Sequence, residues 1–225
     1  MLPPPSGNYR NQSAYFAKAK YRESSDPVVA AYAQPKLDFI EAVAPLTGAS
    51  VVDIGCGNGV FTLYLQERAR SVVGLDFSTQ MLAENPCRSL VQADVAALPV
   101  ASGSFDVAFE ANVLHHVDDP RQVVSEMARV ARRWVILVEP NRNNPVMFAF
   151  GLLVKEERAL LRSNVAHLRT LVEDQGLVVR LSISTGMISQ NNTPAALVPL
   201  LRRFDRPSPL GEYLITVAEK LPQRA

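Results

Sequence analysis

Cysteine, histidine and tryptophan are scarce in this chain, with two, three and one among 225 residues. Cys56 and Cys87 make neither a disulfide framework nor a zinc spacing, which points to a reducing, cytoplasmic setting. No metal cluster is recognised in the sequence and no metal ligand is named, with a lone magnesium site left open. Charge of one sign is missing too: 23 basic against 22 acidic residues leave +1. Without a concentrated basic footprint, nucleic acid is not the expected partner. Long apolar runs are absent, since the densest, Val146 to Val154, falls far short of the roughly 20 residues a membrane span requires. The opening MLPPPSGNYR has no apolar centre and is not read as a secretory signal. A chain of this length is expected to form one domain that needs no covalent staple.

Two regions stand out along the chain. Residues 1–34 read as a flexible leader followed by a helical segment that holds Tyr9, Tyr15, Phe16, Tyr21 and Tyr32. Four of the six tyrosines lie there, with Arg10, Lys18, Lys20 and Arg22 between them. Either a docked amphipathic helix or a lid over a ligand suits that composition, and Tyr15 is the aromatic expected to reach a site. Residues 35–225 form the main domain, in which short β-rich runs alternate with helical ones. Val51–Ile54, Ser71–Leu75, Ser89–Ala93, Phe105–Phe109, Trp134–Val138, Leu177–Ile183 and Tyr213–Ala218 are the predicted strands. Ser78, Asp119 followed by Pro120, and Asn164 are the predicted helix starts. Strands that are apolar on both faces, alternating with helices, imply a doubly wound α/β fold with a mostly parallel sheet.

The densest signal is Val51-Val52-Asp53-Ile54-Gly55-Cys56-Gly57-Asn58-Gly59, a strand that runs into alternate glycines and then a helix. Without β-carbons the backbone turns sharply and a ligand can press on main-chain N–H groups. The third glycine comes one residue earlier than in the dinucleotide fingerprint G-x-G-x-x-G. No Lys or Arg lies in or just after the loop, and Asp53 would repel a pyrophosphate. Asp76 ends the second strand, where a carboxylate can accept both hydroxyls of a ribose. Phe77 and Met81 would form an apolar slot for a purine, and Asp94, ending the third strand, could accept from an exocyclic amine. These features describe a nucleoside pocket rather than a phosphate cradle.

Asp53-Ile54-Gly55-Cys56-Gly57-Asn58-Gly59, Gly74-Leu75-Asp76-Phe77-Ser78 and Met81-Leu82 together resemble the class I S-adenosylmethionine-dependent methyltransferases. Gln92-Ala93-Asp94-Val95, Leu98-Pro99 and Ser104-Phe105-Asp106 extend the likeness. Val113-Leu114-His115-His116-Val117 resembles the small-molecule branch that includes ubiquinone and menaquinone methyltransferases. The resemblance covers about residues 35 to 140 and is looser beyond. It implies a seven-stranded sheet with an antiparallel last strand and a pocket for S-adenosylmethionine. Gly55 and Gly57, with Cys56 between them, would pack on the methionine part of the cofactor, near Asp53. Asp76 would hold the ribose, Phe77 and Met81 the adenine faces, Asp94 the adenine amine and the Val95 N–H a ring nitrogen. Main-chain atoms at Glu110 and Ala111 would hold the amino group.

Methyl transfer is an in-line displacement, so holding acceptor and methyl in line supplies most of the acceleration. A hydroxyl acceptor must also lose a proton, for which His115 is the candidate catalytic base, with His116 expected to point away. His167 has no partner motif. The Asn/Asp-Pro-Pro-Tyr/Phe motif of nucleic-acid amino methyltransferases is replaced by Glu110-Ala111-Asn112-Val113. The expected acceptor is therefore a small, apolar or lipid-like molecule. The competing readings are an NAD-dependent oxidoreductase and a non-catalytic protein that binds S-adenosylmethionine.

Overall fold

The computed structural model describes residues 21–222. Seven strands, β1 (Ser50–Ile54), β2 (Ser71–Asp76), β3 (Leu90–Gln92), β4 (Phe105–Ala111), β5 (Ala131–Pro140), β6 (Val178–Thr185) and β7 (Tyr213–Glu219), form one sheet. Their order is β3-β2-β1-β4-β5-β7-β6. Pairings from β3 through β5 are parallel, while β7 runs antiparallel to both β5 and β6. This is the expected doubly wound α/β architecture with the last strand reversed.

Alternation along the strands builds a core on each face. Val51, Val107, Ile136 and Ile215 enter one apolar cluster, and their neighbours Val52, Ala108, Leu137 and Leu214 enter the other. Helices α1 (Pro27–Glu41) and α2 (Thr62–Arg68) cover the first face. Helices α4 (Pro120–Val130) and α6 (Val165–Glu173) cover the second, after the short α3 (Thr79–Glu84). The predicted caps hold: Asp119 accepts from the N–H groups of Arg121 and Gln122, Asn164 from His167, and Ser78 from Met81. Strand β3 is shorter than expected and mostly exposed, whereas β5 starts at Ala131, where the helical pattern of α4 was expected to continue.

The N-terminal aromatic segment divides. Residues 9–20, with Tyr15, lie outside the described residues. Helix α1 runs through the expected boundary at residue 34 and belongs to the core. Tyr32 is fully buried, edge-on to Phe61 and Tyr213 at 5.5 and 4.9 Å. Its hydroxyl accepts from Asn112 Nδ2 at 2.9 Å. Lys36 Nζ donates to the Tyr32 carbonyl at 2.7 Å and lies over both tyrosine rings. Burying each large apolar side chain contributes roughly 1.5–3 kcal/mol, so a helix that buries Val28, Val29, Tyr32, Leu37 and Ile40 is docked, not poised to lift.

Candidate active site

One cavity of about 710 Å³ opens at the carboxyl ends of β1, β2, β4 and β5. Its first end is made by the turn after β1. Gly55 and Gly57 have φ of +72° and +50°, and a β-carbon on Gly55 would run into the Val113 side chain. The turn is tied to β2, where Asp76 Oδ2 accepts from the Gly57 N–H at 2.9 Å and Oδ1 from the Ser78 N–H at 2.7 Å. Burial pushes the Asp76 pKa up against those hydrogen bonds. Asp53 accepts from Thr62 Oγ1 at 2.6 Å, and burial, with the Asp76 charge adding to it, raises its pKa to about 7.

Of the residues expected to bind a cofactor, Asp53, Gly55, Cys56, Gly57, Asp76, Phe77, Met81, Val95 and Ala111 all line this cavity. Asp94 and Glu110 do not. Asp94 is half-buried beside Val95, and its Oδ1 accepts from the Ala96 N–H at 2.9 Å. Glu110 is fully buried beneath the wall. Burial and the charge of Glu139 push its pKa far above the usual carboxylate range. Cys56 packs 2.8 Å from the point where a β-carbon on Gly74 would stand, and burial keeps its thiol protonated.

The second end is built by β4, β5 and two 3-10 turns, Leu114–His116 and Lys155–Arg162. Asn112 takes a left-handed conformation, φ 59°, as the chain leaves β4. Beyond it, Glu139 Oε1 accepts from the N–H groups of Val113 and Leu114 at 2.8 and 2.9 Å. The same carboxylate holds His115 Nδ1 at 2.6 Å through Oε2, and His115 Nε2 lies 3.4 Å from Glu157 Oε2. Burial works against charge on His115, but Glu139 and Glu157 outweigh it and hold its pKa up at about 10. His116 was expected to point away, yet both rings line the cavity, tilted against each other at 4.0 Å. Burial and the His115 charge push His116 down to about 3.

Apolar residues complete this end. Val146, Met147 and Phe150 of α5 (Pro145–Leu153) line the cavity, while Phe148, Leu152 and Leu153 of the same helix are exposed. The run from Val146 to Val154 is thus more wall than core. Glu157, Tyr213 and Glu212 were not singled out in the sequence. Glu157 lies in Lys155-Glu156-Glu157-Arg158, which reads as a solvated face, and nothing local marks its turn inward.

Residues 52–138 match a family model described as a methyltransferase domain. A ubiquinone biosynthesis O-methyltransferase of Paracidovorax citrulli is 33% identical over 120 residues, covering 48% of this chain and 50% of that protein. Its namesake from Hahella chejuensis is 33% identical over 131 residues, covering 54% and 55%. The chain therefore spans about half the length of the curated relatives it matches. Among solved structures, an S-adenosylmethionine-dependent methyltransferase from Thermotoga maritima superposes with a TM-score of 0.66 at 15% identity, over 95% of this chain and 96% of that one. Magnesium protoporphyrin IX methyltransferase from Synechocystis, solved with bound S-adenosylmethionine, gives 0.56 at 18% over 96% and 92%. The fold is that of the Rossmann-like methyltransferases, and none of these likenesses favours the oxidoreductase reading.

Proposed function

We propose that this chain, whose residues 52–138 form a methyltransferase domain, moves a methyl group from S-adenosylmethionine to a hydroxyl of a small apolar acceptor. One observation carries the reading: a single cavity joins the glycine turn and Asp76 to an apolar wall with a polar cluster at its end. S-adenosylmethionine supplies an electrophilic methyl on a sulfonium. Its fit is supported by the turn itself, where a β-carbon on Gly57 would already press on Met81 Cε at 3.3 Å. In this assignment Gly55, Cys56 and Gly57 face the methionine part, near Asp53, with main-chain atoms at Glu110 and Ala111 toward its amino group. Asp76 takes the ribose, Phe77 and Met81 flank the adenine, Val95 gives its N–H to the ring, and Asp94 reaches the amine from the pocket's edge. Tyr15 belongs to the same assignment but precedes the described residues.

Val146, Met147 and Phe150 suit an apolar acceptor body, and the apolar face that α5 exposes would let a greasy molecule approach. His115, His116 and Glu157 stand where the acceptor's reacting atom would lie. The curated relatives' name supplies oxygen as the atom methylated. Among the described residues no helix is long and apolar enough to cross a membrane, and a cytoplasmic enzyme is the simplest setting. Calorimetry with S-adenosylhomocysteine and, separately, NAD tests the cofactor. Methyl uptake from labelled S-adenosylmethionine into phenols bearing an apolar tail, against matched amines, tests the acceptor. Binding of NAD but not S-adenosylhomocysteine would overturn the proposal.

A further inference from the structure

Among the described residues, His115, His116 and Glu157 each bring one ligand atom to a common place, all within 4.8 Å of one another. Glu157 Oε2 lies 3.4 Å from His115 Nε2 and 4.0 Å from His116 Nε2. Around a tetrahedral zinc ion with bonds of about 2.0–2.1 Å, ligand atoms stand about 3.4 Å apart, so small side-chain rotations close this triangle on an ion. We infer that the cluster is a site for a zinc-type divalent ion, with His115 Nε2, His116 Nε2 and the Glu157 carboxylate as ligands and a further position open to the cavity.

Three observations beyond the cluster support this. The first lies behind His115. Its Nδ1 is 2.6 Å from Glu139 Oε2, and Glu139 is itself fixed by the Val113 and Leu114 N–H groups. A carboxylate behind a ligating imidazole sets its tautomer and aim, so that Nε2, giving up its proton to water as the ion binds, is the metal donor. The second is access: all three ligands line the cavity, as a site with an open coordination position requires. The third is donor chemistry. Two imidazoles and one carboxylate suit zinc or cobalt, whereas magnesium and calcium favour shells of oxygen.

What the ion would do rests on the methyl-transfer reading. The acceptor's hydroxyl oxygen would take the open position and release its proton to water, since a bound divalent ion strongly acidifies such a group. The new O–CH₃ bond then forms as the S–CH₃ bond breaks, and the electron pair leaves on sulfur. The ion is unchanged.

Cobalt(II) added to the full chain after chelator treatment, followed by calorimetry and visible absorption, tests the site. One ion per chain is expected, with d–d bands of a low-coordinate nitrogen–oxygen site, displaced by Zn²⁺ and not by Mg²⁺. His116→Gln and Glu157→Gln should each weaken binding about a hundredfold, and Glu139→Gln some 10- to 100-fold. All three should keep S-adenosylhomocysteine affinity within about twofold, which shows that the fold is intact. No binding by the wild type, binding that survives both ligand substitutions, or a thiolate-to-cobalt charge-transfer band from Cys56 or Cys87 would overturn the site. Cobalt bound by a chain that does not bind S-adenosylhomocysteine would sink the methyl-transfer reading alone; the reverse would sink the ion alone.

Discussion

The two ends of the cavity are built in different ways. The end around Gly55, Gly57 and Asp76 is held by main-chain groups within 25 residues of one another, with Asp76 tying the turn to the start of α3. The end around His115 is held by side chains brought from far apart: Glu139 from β5, Glu157 from a later turn and Tyr213 from β7. A ligand gripped by backbone geometry imposes a local pattern of glycines and a strand-end carboxylate. A ligand gripped by side chains imposes no spacing, and such an end can change its chemistry without disturbing the sheet.

The sharpest way to break that division is His115→Ala. Turnover should fall by about 10²–10⁴-fold if His115 takes part in removing the acceptor's proton, directly or through an ion it holds. S-adenosylhomocysteine affinity should stay within about twofold, because Asp76 is bonded to Gly57 and Ser78 whereas His115 is held by Glu139 and Glu157. Single-turnover kinetics and calorimetry on the same preparation measure both. Loss of cofactor affinity would mean that the two ends are one unit.

That division also explains what could be read beforehand. The order of strands and helices was legible because strands buried on both faces are uniformly apolar and helix starts carry caps such as Asp119 and Asn164. The glycine end was legible for the same local reason, since Gly55, Gly57, Asp76 and Met81 were singled out and all line the cavity. Glu157 was not, since its inward direction follows from packing of the Lys155–Arg162 turn against the Leu114–His116 turn. Nor was the burial of Tyr32. A tyrosine before the first strand reads equally as lid or core until Phe61 and Tyr213 close around it.

Asp53 probes the cost of the glycine end through pH. Its folded pKa, about 7, lies above an unfolded value near 3.9, so the folded state binds the extra proton between them. Its contribution to stability is complete below about pH 4 and is lost as pH rises toward 7, by as much as about 4 kcal/mol. Asp106, Glu126 and Glu219, whose pKa values are lowered, contribute in the opposite sense at lower pH. The test is therefore the difference between wild type and Asp53→Asn in denaturant unfolding from pH 4 to pH 8. The variant should gain on the wild type as pH rises, and a constant difference would show that Asp53 titrates normally.

Asp76→Ala sharpens the comparison from the cofactor side. If Asp76 takes the ribose as proposed, removing its carboxylate, which also anchors Gly57, should weaken S-adenosylhomocysteine by roughly 2–3 kcal/mol, about thirty- to hundredfold. The KM for the acceptor should move far less at saturating cofactor. Unchanged cofactor affinity in a folded variant would remove Asp76 from the site.

The smallest expected effect lies on α5, where two phenylalanines offer a paired test. Phe150 lines the cavity and Phe148 is exposed on the same helix, so the two differ in direction more than in surroundings. If the acceptor lays an apolar body against this wall, Phe150→Ala forfeits part of the burial of one aromatic ring. At about 25 cal/mol per Å² the loss is roughly 1–2 kcal/mol, a rise of about five- to thirtyfold in acceptor KM. Phe148→Ala should leave that KM unchanged within about twofold and shift stability by no more than about 0.5 kcal/mol, as for most exposed positions. Neither change should alter the binding of S-adenosylhomocysteine at the other end. Equal effects on KM from both would mean that the acceptor is met at the outer face of α5 before it enters, and the wall of the cavity would then cease to be the element that selects it.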